Sequence, residues 1–225
     1  MTKHLATATV VICLVVVGVL HSVQLMALDL EFYTSQWVQL GVPHDTGMDL
    51  QELSRSGRSL IDYLVGSISS PQIETTVFGS PRLLYNELEL QHLEDVRELF
   101  AKGFRFQQIL LVGLLLGGLY LAWSYRLKSL SKPLMTAGFI GVGLLLLLAL
   151  PAKIDFGRWW TRFHIIAFAN DLWLLDPSTD WLIRMFPEGF FVSAIQRIGI
   201  TYLGFCAAYV LLGFLVGHLA SNHGH

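Results

Sequence analysis

Gln107-Gln-Ile-Leu-Leu-Val-Gly-Leu-Leu-Leu-Gly-Gly-Leu-Tyr-Leu-Ala-Trp-Ser-Tyr125 contains no charged residue. About 20 such residues cross the hydrocarbon of a bilayer as one helix, so this run predicts a membrane span. The residues just after it set the orientation. Arg126, Lys128 and Lys132 form a short connector without an acid, and basic connectors stay in the cytoplasm. A second apolar run, Leu134–Leu150, returns between Pro133 and Pro151, and another, Ile198–Gly217, comes after Arg197. Towards the amino terminus, Ala6–Leu28 is also free of charge. A cleaved signal peptide is the rival reading of that run. Its apolar core is about 7–15 residues long and ends in small residues. This run is longer and ends Leu25-Met-Ala-Leu28, so it reads as a retained span.

Composition agrees. Of 225 residues, 53% are hydrophobic and 14% charged, and the mean hydropathy is +0.55. Soluble domains carry about 25% charged residues. A net charge of -2 gives no basic face for nucleic acid. Cys13 and Cys206 both sit in apolar runs and read as small buried hydrophobes. The expected architecture is an all-α membrane protein. Residues 1–225 form a single integral membrane domain, a bundle of four transmembrane helices at about 6–28, 107–125, 134–150 and 198–217. A mostly helical extracytoplasmic domain, built from excursions 29–106 and 151–192, caps it. Both termini are expected in the cytoplasm. The first excursion carries twelve acids against six bases, which fits a translocated segment. The tail, Ser221-Asn-His-Gly-His225, reads as a disordered end.

Within the first excursion, Asp49–Val65 has helical periodicity, weakened at Gly57. Ile68–Ser80 reads as loop or short extended segment. Asn86 caps a helix reaching about Lys102. It places Leu88, His92, Val96 and Leu99 on one stripe, with Asp95 one turn beyond His92 and able to orient its ring and favour its protonated form. The second excursion holds Phe163-His164-Ile-Ile-Ala-Phe168-Ala-Asn170-Asp171-Leu-Trp173-Leu-Leu-Asp176-Pro177, too polar to span a bilayer and too apolar for an ordinary loop. The orientation places His92 and His164 on the same face.

Each of these residues has a functional and a bland reading. A histidine titrates near 6.5, so it serves as acid or base at neutral pH; it also sits unremarkably at an interface with its tip in water. Asp171 and Asp176 are turn and helix-start formers, and Asp176-Pro177 is expected to open the helix holding Trp181. Asn170 is the residue most readily spared from capping, and its amide suits a developing oxyanion. Trp159, Trp160, Phe163, Phe168 and Trp173 read as a groove mouth, with Phe190 and Phe191 added, or as an interfacial aromatic belt. Zinc ligation by His and Asp is a further option, but no paired zinc motif is present and no metal is assigned. The Gly-x-Ser-x-Gly elbow and the Gly-rich phosphate loop with Lys are absent from the sequence.

His92-Leu-Glu-Asp95-Val96, with Phe163-His164-x3-Phe168-x-Asn170-Asp171-x-Trp173-x2-Asp176-Pro177-x2-Asp180 and Phe186-Pro187-Glu188-x-Phe-Phe191 downstream, resembles the lipoprotein intramolecular transacylase (Lit) family. The resemblance implies a bacterial cell-membrane acyltransferase without a cofactor, its active site on the extracytoplasmic face. Its partners would be diacylated lipoproteins and membrane lipid. It would move the sn-2 acyl chain of the diacylglyceryl group onto the α-amine of the lipoprotein's N-terminal cysteine, leaving a lyso-form lipoprotein. It further implies His92 and His164 as the functional histidines. Asp95, Asn170, Asp171, Asp176 and Arg162 are the expected supporting residues. His164 is expected as base towards the amine and His92 as acid towards the leaving alcohol, with Asn170 or an Arg as oxyanion donor. The substrate's own amine is the nucleophile. The alternatives are a metal-dependent membrane hydrolase and a non-enzymatic lipid-binding or assembly protein.

Overall fold

The computed structural model describes the backbone of residues 2–222 and side chains through residue 220, so the tail histidines lie outside the described residues. The helices are α1 (Lys3–Ala27), α2 (Leu30–Gln39), α3 (Val42–Thr46), α4 (Leu50–Leu64), α5 (Glu87–Tyr125), α6 (Ser131–Ile154), α7 (Phe156–Ala167), α8 (Trp181–Met185) and α9 (Glu188–Asn222). A short 3-10 turn (Leu127–Leu130) joins α5 to α6, and two strands, β1 (Glu74–Val77) and β2 (Ser80–Leu83), pair between α4 and α5. Among the described residues, four helical segments are long and apolar enough to cross a membrane: Lys3–Ala27, Glu87–Tyr125, Leu127–Ile154 and Glu188–Ala220.

Several boundaries differ from the sequence reading. The helix capped at Asn86 does not stop near Lys102 but continues unbroken to Tyr125 as α5, because no proline intervenes and Gly103 is carried inside the helix. At 39 residues it is about 58 Å long, roughly twice the hydrocarbon thickness. Its apolar part begins at Gln107, and the preceding turns, which carry His92, extend beyond it. Pro151 lies inside α6 rather than ending it. Ile68–Ser80 leads into an antiparallel hairpin, Val77 opposite Ser80. Phe78 and Gly79 form its two-residue turn, both at positive φ (47° and 77°), the conformation tight hairpins require. A phenylalanine in that conformation gives no sequence signal.

The chain forms two compact units. The first comprises Met1–Gln24, Gly103–Lys153 and Arg197–His225. Its core is Ala6, Val10, Val11, Leu14, Val15, Leu121 and Ala137. Small residues bring its backbones together, as between helices in lipid. A Cβ on Gly138 would lie 2.6 Å from the Cys206 carbonyl, and one on Gly213 2.8 Å from the Ser131 carbonyl. Tyr202 donates to the Val15 carbonyl at 3.2 Å. Ile109, Leu115, Leu116 and Leu147 point outward, each more than half exposed, which suits lipid contact. Cys13 and Cys206 are buried free thiols.

The second unit comprises Leu25–Lys102 and Ile154–Gln196. Trp37, Met48, Leu53, Leu84, Met185, Phe186 and Phe190 lie in its core. Asp29 caps α2 through the amides of Glu31 and Phe32, and Asp49 caps α4 through that of Glu52. Gly57 does not interrupt α4; it makes room. A Cβ there would lie 2.6 Å from Cη2 of Trp37. Gly57→Ala is therefore expected to destabilise by about 1–3 kcal/mol from overpacking, despite the gain in helix propensity. Thermal unfolding in detergent reads this, and a raised Tm would contradict it.

Candidate active site

The short helix α7 places its residues around His164. Asp155 caps its start by accepting from the Arg158 amide. One turn from its end, the His164 ring is buried, and Nδ1 donates to the Trp160 carbonyl at 2.9 Å. That bond assigns the proton to Nδ1 and leaves the Nε2 lone pair free. Aromatic rings enclose the imidazole. Trp173 stacks on it at 4.9 Å, Trp160 meets it edge-on at 4.7 Å, and Phe163 and Phe168 lie at 5.2 and 5.6 Å. Phe191 packs on Trp160 at 4.3 Å. Trp159 stands apart and stacks instead on Phe163, at 6.5 Å.

The second histidine comes from α5. His92 is buried, and its ring centroid lies 6.3 Å from that of His164, with Phe168 at 5.3 Å. Its Nδ1 is buried and has no hydrogen-bond partner among the described residues. A buried unsatisfied donor or acceptor costs about 1–3 kcal/mol, and native structures hold few of them outside functional sites. The faces of α5 also differ from the expected stripe. Leu88 is exposed, whereas Glu89, His92 and Leu93 are buried.

Asp95 does not hold His92. Its Oδ2 accepts from Nδ2 of Asn170 at 2.8 Å. The Asn170 Oδ1 accepts from the Leu172 amide, and its backbone carbonyl accepts from Nε1 of Trp173. Asn170 thus fastens the loop after α7 to α5 and sets Trp173 over His164, so one of its amide donors is already engaged rather than free for an oxyanion. Asp171 and Arg162 are exposed. Asp176 caps a turn through the Ser178 amide; it does not open α8, whose N-cap is Asp180. Hydrogen bonds from Ser178 hold the Asp176 carboxyl below its ordinary value.

Among the described residues no three His, Cys, Asp or Glu side chains converge as metal ligands would. The family model for lipoprotein intramolecular transacylase Lit matches residues 8–191. The chain belongs to the Lit family.

Solved structures of the membrane integral lipoprotein intramolecular transacylase Lit from Bacillus cereus share the fold. One superposes with a TM-score of 0.84 at 22% identity, covering 97% of each chain. The same protein with a histidine-to-arginine mutation gives 0.82 at 22% identity, covering 97% of this chain and 93% of that one. A histidine-to-alanine form gives 0.80 at 22%, covering 97% and 95%. No curated protein matches the chain. Lit membership makes it an integral membrane acyltransferase of a family that acts on lipoproteins.

One group in this Lit chain went unassigned in the sequence reading. Glu89 is fully buried. Its carboxylate accepts from the amides of Asn86 at 2.8 Å and Leu182 at 2.6 Å, while Asn86 Oδ1 accepts from the Glu89 amide. The signal was legible as the capping box Asn86-x-x-Glu89. Asn86 Nδ2 also donates to Asp180 at 2.8 Å. The start of α5, one turn before His92, is thereby tied to the start of α8. Burial raises the Glu89 pKa against the lowering effect of these hydrogen bonds.

Burial moves both histidines the other way. It lowers His92 to about 4, helped by His164 and only partly opposed by Asp95. His164 is also lowered by burial, against the bond to Trp160. Asp95 does favour a charged His92, as expected, but desolvation outweighs it. The unfolded chain binds these protons near 6.5, so between about 4 and 6.5 it carries more protons than the folded one, and stability rises with pH. Acidification from pH 7 to 5 is expected to cost about 2 kcal/mol through His92. His92→Phe should flatten that part of the Tm–pH curve; an identical pH dependence in the variant would refute it.

Proposed function

We propose that the chain transfers the sn-2 acyl group of a diacylated lipoprotein to the α-amine of its N-terminal cysteine. The observation that carries this reading is the pair of enclosed neutral histidines, one with a tautomer set by a backbone carbonyl. The amine nitrogen attacks the sn-2 ester carbonyl carbon, the C–N bond forms, and the bond to the glyceryl oxygen breaks. One proton must pass from nitrogen to that oxygen. His164 Nε2 takes it from the attacking nitrogen. The Trp160 carbonyl supports the resulting imidazolium, which then protonates the departing oxygen. His92, neutral at pH 7, supplies a ring N–H to the carbonyl oxygen as it gains charge. This revises the expected division of labour, since a standing imidazolium at His92 is disfavoured.

No protein nucleophile is needed. Both reacting groups belong to one molecule, so holding them together lowers the barrier by several kcal/mol. Trp160, Phe163, Phe168 and Trp173 would enclose the ester and exclude the water that would hydrolyse it. The site would face the extracytoplasmic side, with both termini in the cytoplasm, because Arg126, Lys128 and Lys132 lie between the second and third spans.

Co-expression with a diacylated reporter lipoprotein, followed by tandem mass spectrometry of its N-terminal lipopeptide, tests the reading. The expected product carries one acyl group on the cysteine nitrogen and one on glycerol. A diacylglyceryl cysteine with a free amine, given confirmed expression of both proteins, would exclude it.

A further inference from the structure

Within the four-span unit lies a cavity of about 470 Å³, lined by Val17, Gly18, His21 and Gln24 of α1, Phe104, Gln107, Gln108 and Leu111 of α5, and Phe205 and Tyr209 of α9. It contains none of the residues assigned above to acyl transfer. Its size falls in the range of small-molecule sites, about 300–1,000 Å³.

The helices order its lining by depth. Gln24 donates to Oε1 of Gln107, while Cys13 faces Gly113 and Val10 faces Gly117, so α1 and α5 run antiparallel. His21, Gln24, Gln107 and Gln108 therefore gather at one end of the cavity, and Val17, Gly18 and Leu111 lie about 10 Å along the helices from Gln24 and Phe104. The amide end coincides with the limits of both charge-free runs: Asp29 comes just after the first, and Arg105 precedes the second. That is the edge of the hydrocarbon, where the ester carbonyls of glycerolipids sit and from which their chains descend. The Gln24–Gln107 bond engages one of that pair's four amide N–H donors. The remaining chemistry suits a neutral acceptor such as an ester carbonyl. The apolar end suits methylenes, and no lysine or arginine in the lining would claim a phosphate.

We propose that this cavity binds one acyl ester of a diacylglycerol unit, its carbonyl on the Gln24, Gln107 and Gln108 amides and its first methylenes along Val17, Gly18 and Leu111. Binding there is independent of acyl transfer at the histidines, and occupancy rather than turnover is measured. The ligand is either a bulk phospholipid or the diacylglyceryl group of a lipoprotein.

The full chain in phosphatidylcholine nanodiscs is irradiated with one of two probes, a phosphatidylglycerol or a diacylglyceryl-cysteine peptide. Each carries a diazirine on an acyl carbon near the ester. Label is mapped by peptide mass spectrometry. Labelling of segments 17–24 and 104–111 is expected to fall with excess unlabelled probe, while labelling of the exposed Leu211, Leu212 and Phe214 does not. Gln107→Leu should weaken competition by roughly tenfold, the effect of one hydrogen bond, and Leu111→Trp should block labelling by filling the cavity. Success with the first probe alone assigns the site to bulk lipid; success with the second assigns it to lipoprotein. Label spread over all exposed apolar positions and resistant to competition in wild type would mean annular lipid only and overturn the proposal.

Discussion

Replacement of His164 by alanine is expected to slow transacylation by about 10²–10⁴-fold, the range of a general acid–base group, with the lipoprotein still bound. The loss should fall on kcat more than on KM, because proton transfer in the transition state is what disappears. Two features make this position decisive. Nδ1 is committed to the Trp160 carbonyl at 2.9 Å, so Nε2 is the basic atom. The ring is also clamped between Trp173 and Trp160, so a substitute group cannot easily reach the same point. His164→Gln keeps a polar side chain but cannot pick up the proton, and should be nearly as slow. His92→Ala is expected to be slow too. The double variant should lose far less than the product of the two single losses, since both act on one transition state. The ratio of lyso-form to diacyl product by mass spectrometry reads all of these. Normal turnover in His164→Ala would remove the histidine mechanism altogether.

Trp37→Ala is expected to destabilise the second unit by about 3–5 kcal/mol, the cost of deleting a large buried aromatic. Trp37 is completely buried and touches Tyr33 and Phe186 at 5.8 Å each. Its Nε1 donates to the Met185 carbonyl at 2.7 Å, so the variant leaves a buried acceptor empty as well as a cavity. From Phe186 the contacts continue through Phe190 and Phe191 to Trp160 and then His164. A lowered Tm should therefore come with slower transacylation. Trp37→Phe keeps most of the volume and should lose less, chiefly the hydrogen bond. Equal Tm for Trp37→Ala and wild type would show that this core does not hold the unit together.

The apolar runs at 107–125, 134–150 and 198–217 were legible because hydration of a side chain is a local property: the uncharged residues from Gln107 to Tyr125 avoid water in any context. The cap at Asn86 was legible for the same reason, since it needs only the Glu89 amide within its own turn. The motif from Phe163 to Phe191 was specific enough to carry a family likeness. What tertiary structure decided was everything that depends on who is buried beside whom. Asp95, one turn from His92, turns to Asn170, 75 residues away along the chain. Gly57, locally a weak point in a helix, is a seat for the Trp37 ring. His92 loses its charge and Glu89 rises because burial removes the water that stabilises ions, and no reading of nearest neighbours contains that water. Residue types therefore set which groups can do acid–base chemistry, while packing set the protonation state in which each one waits.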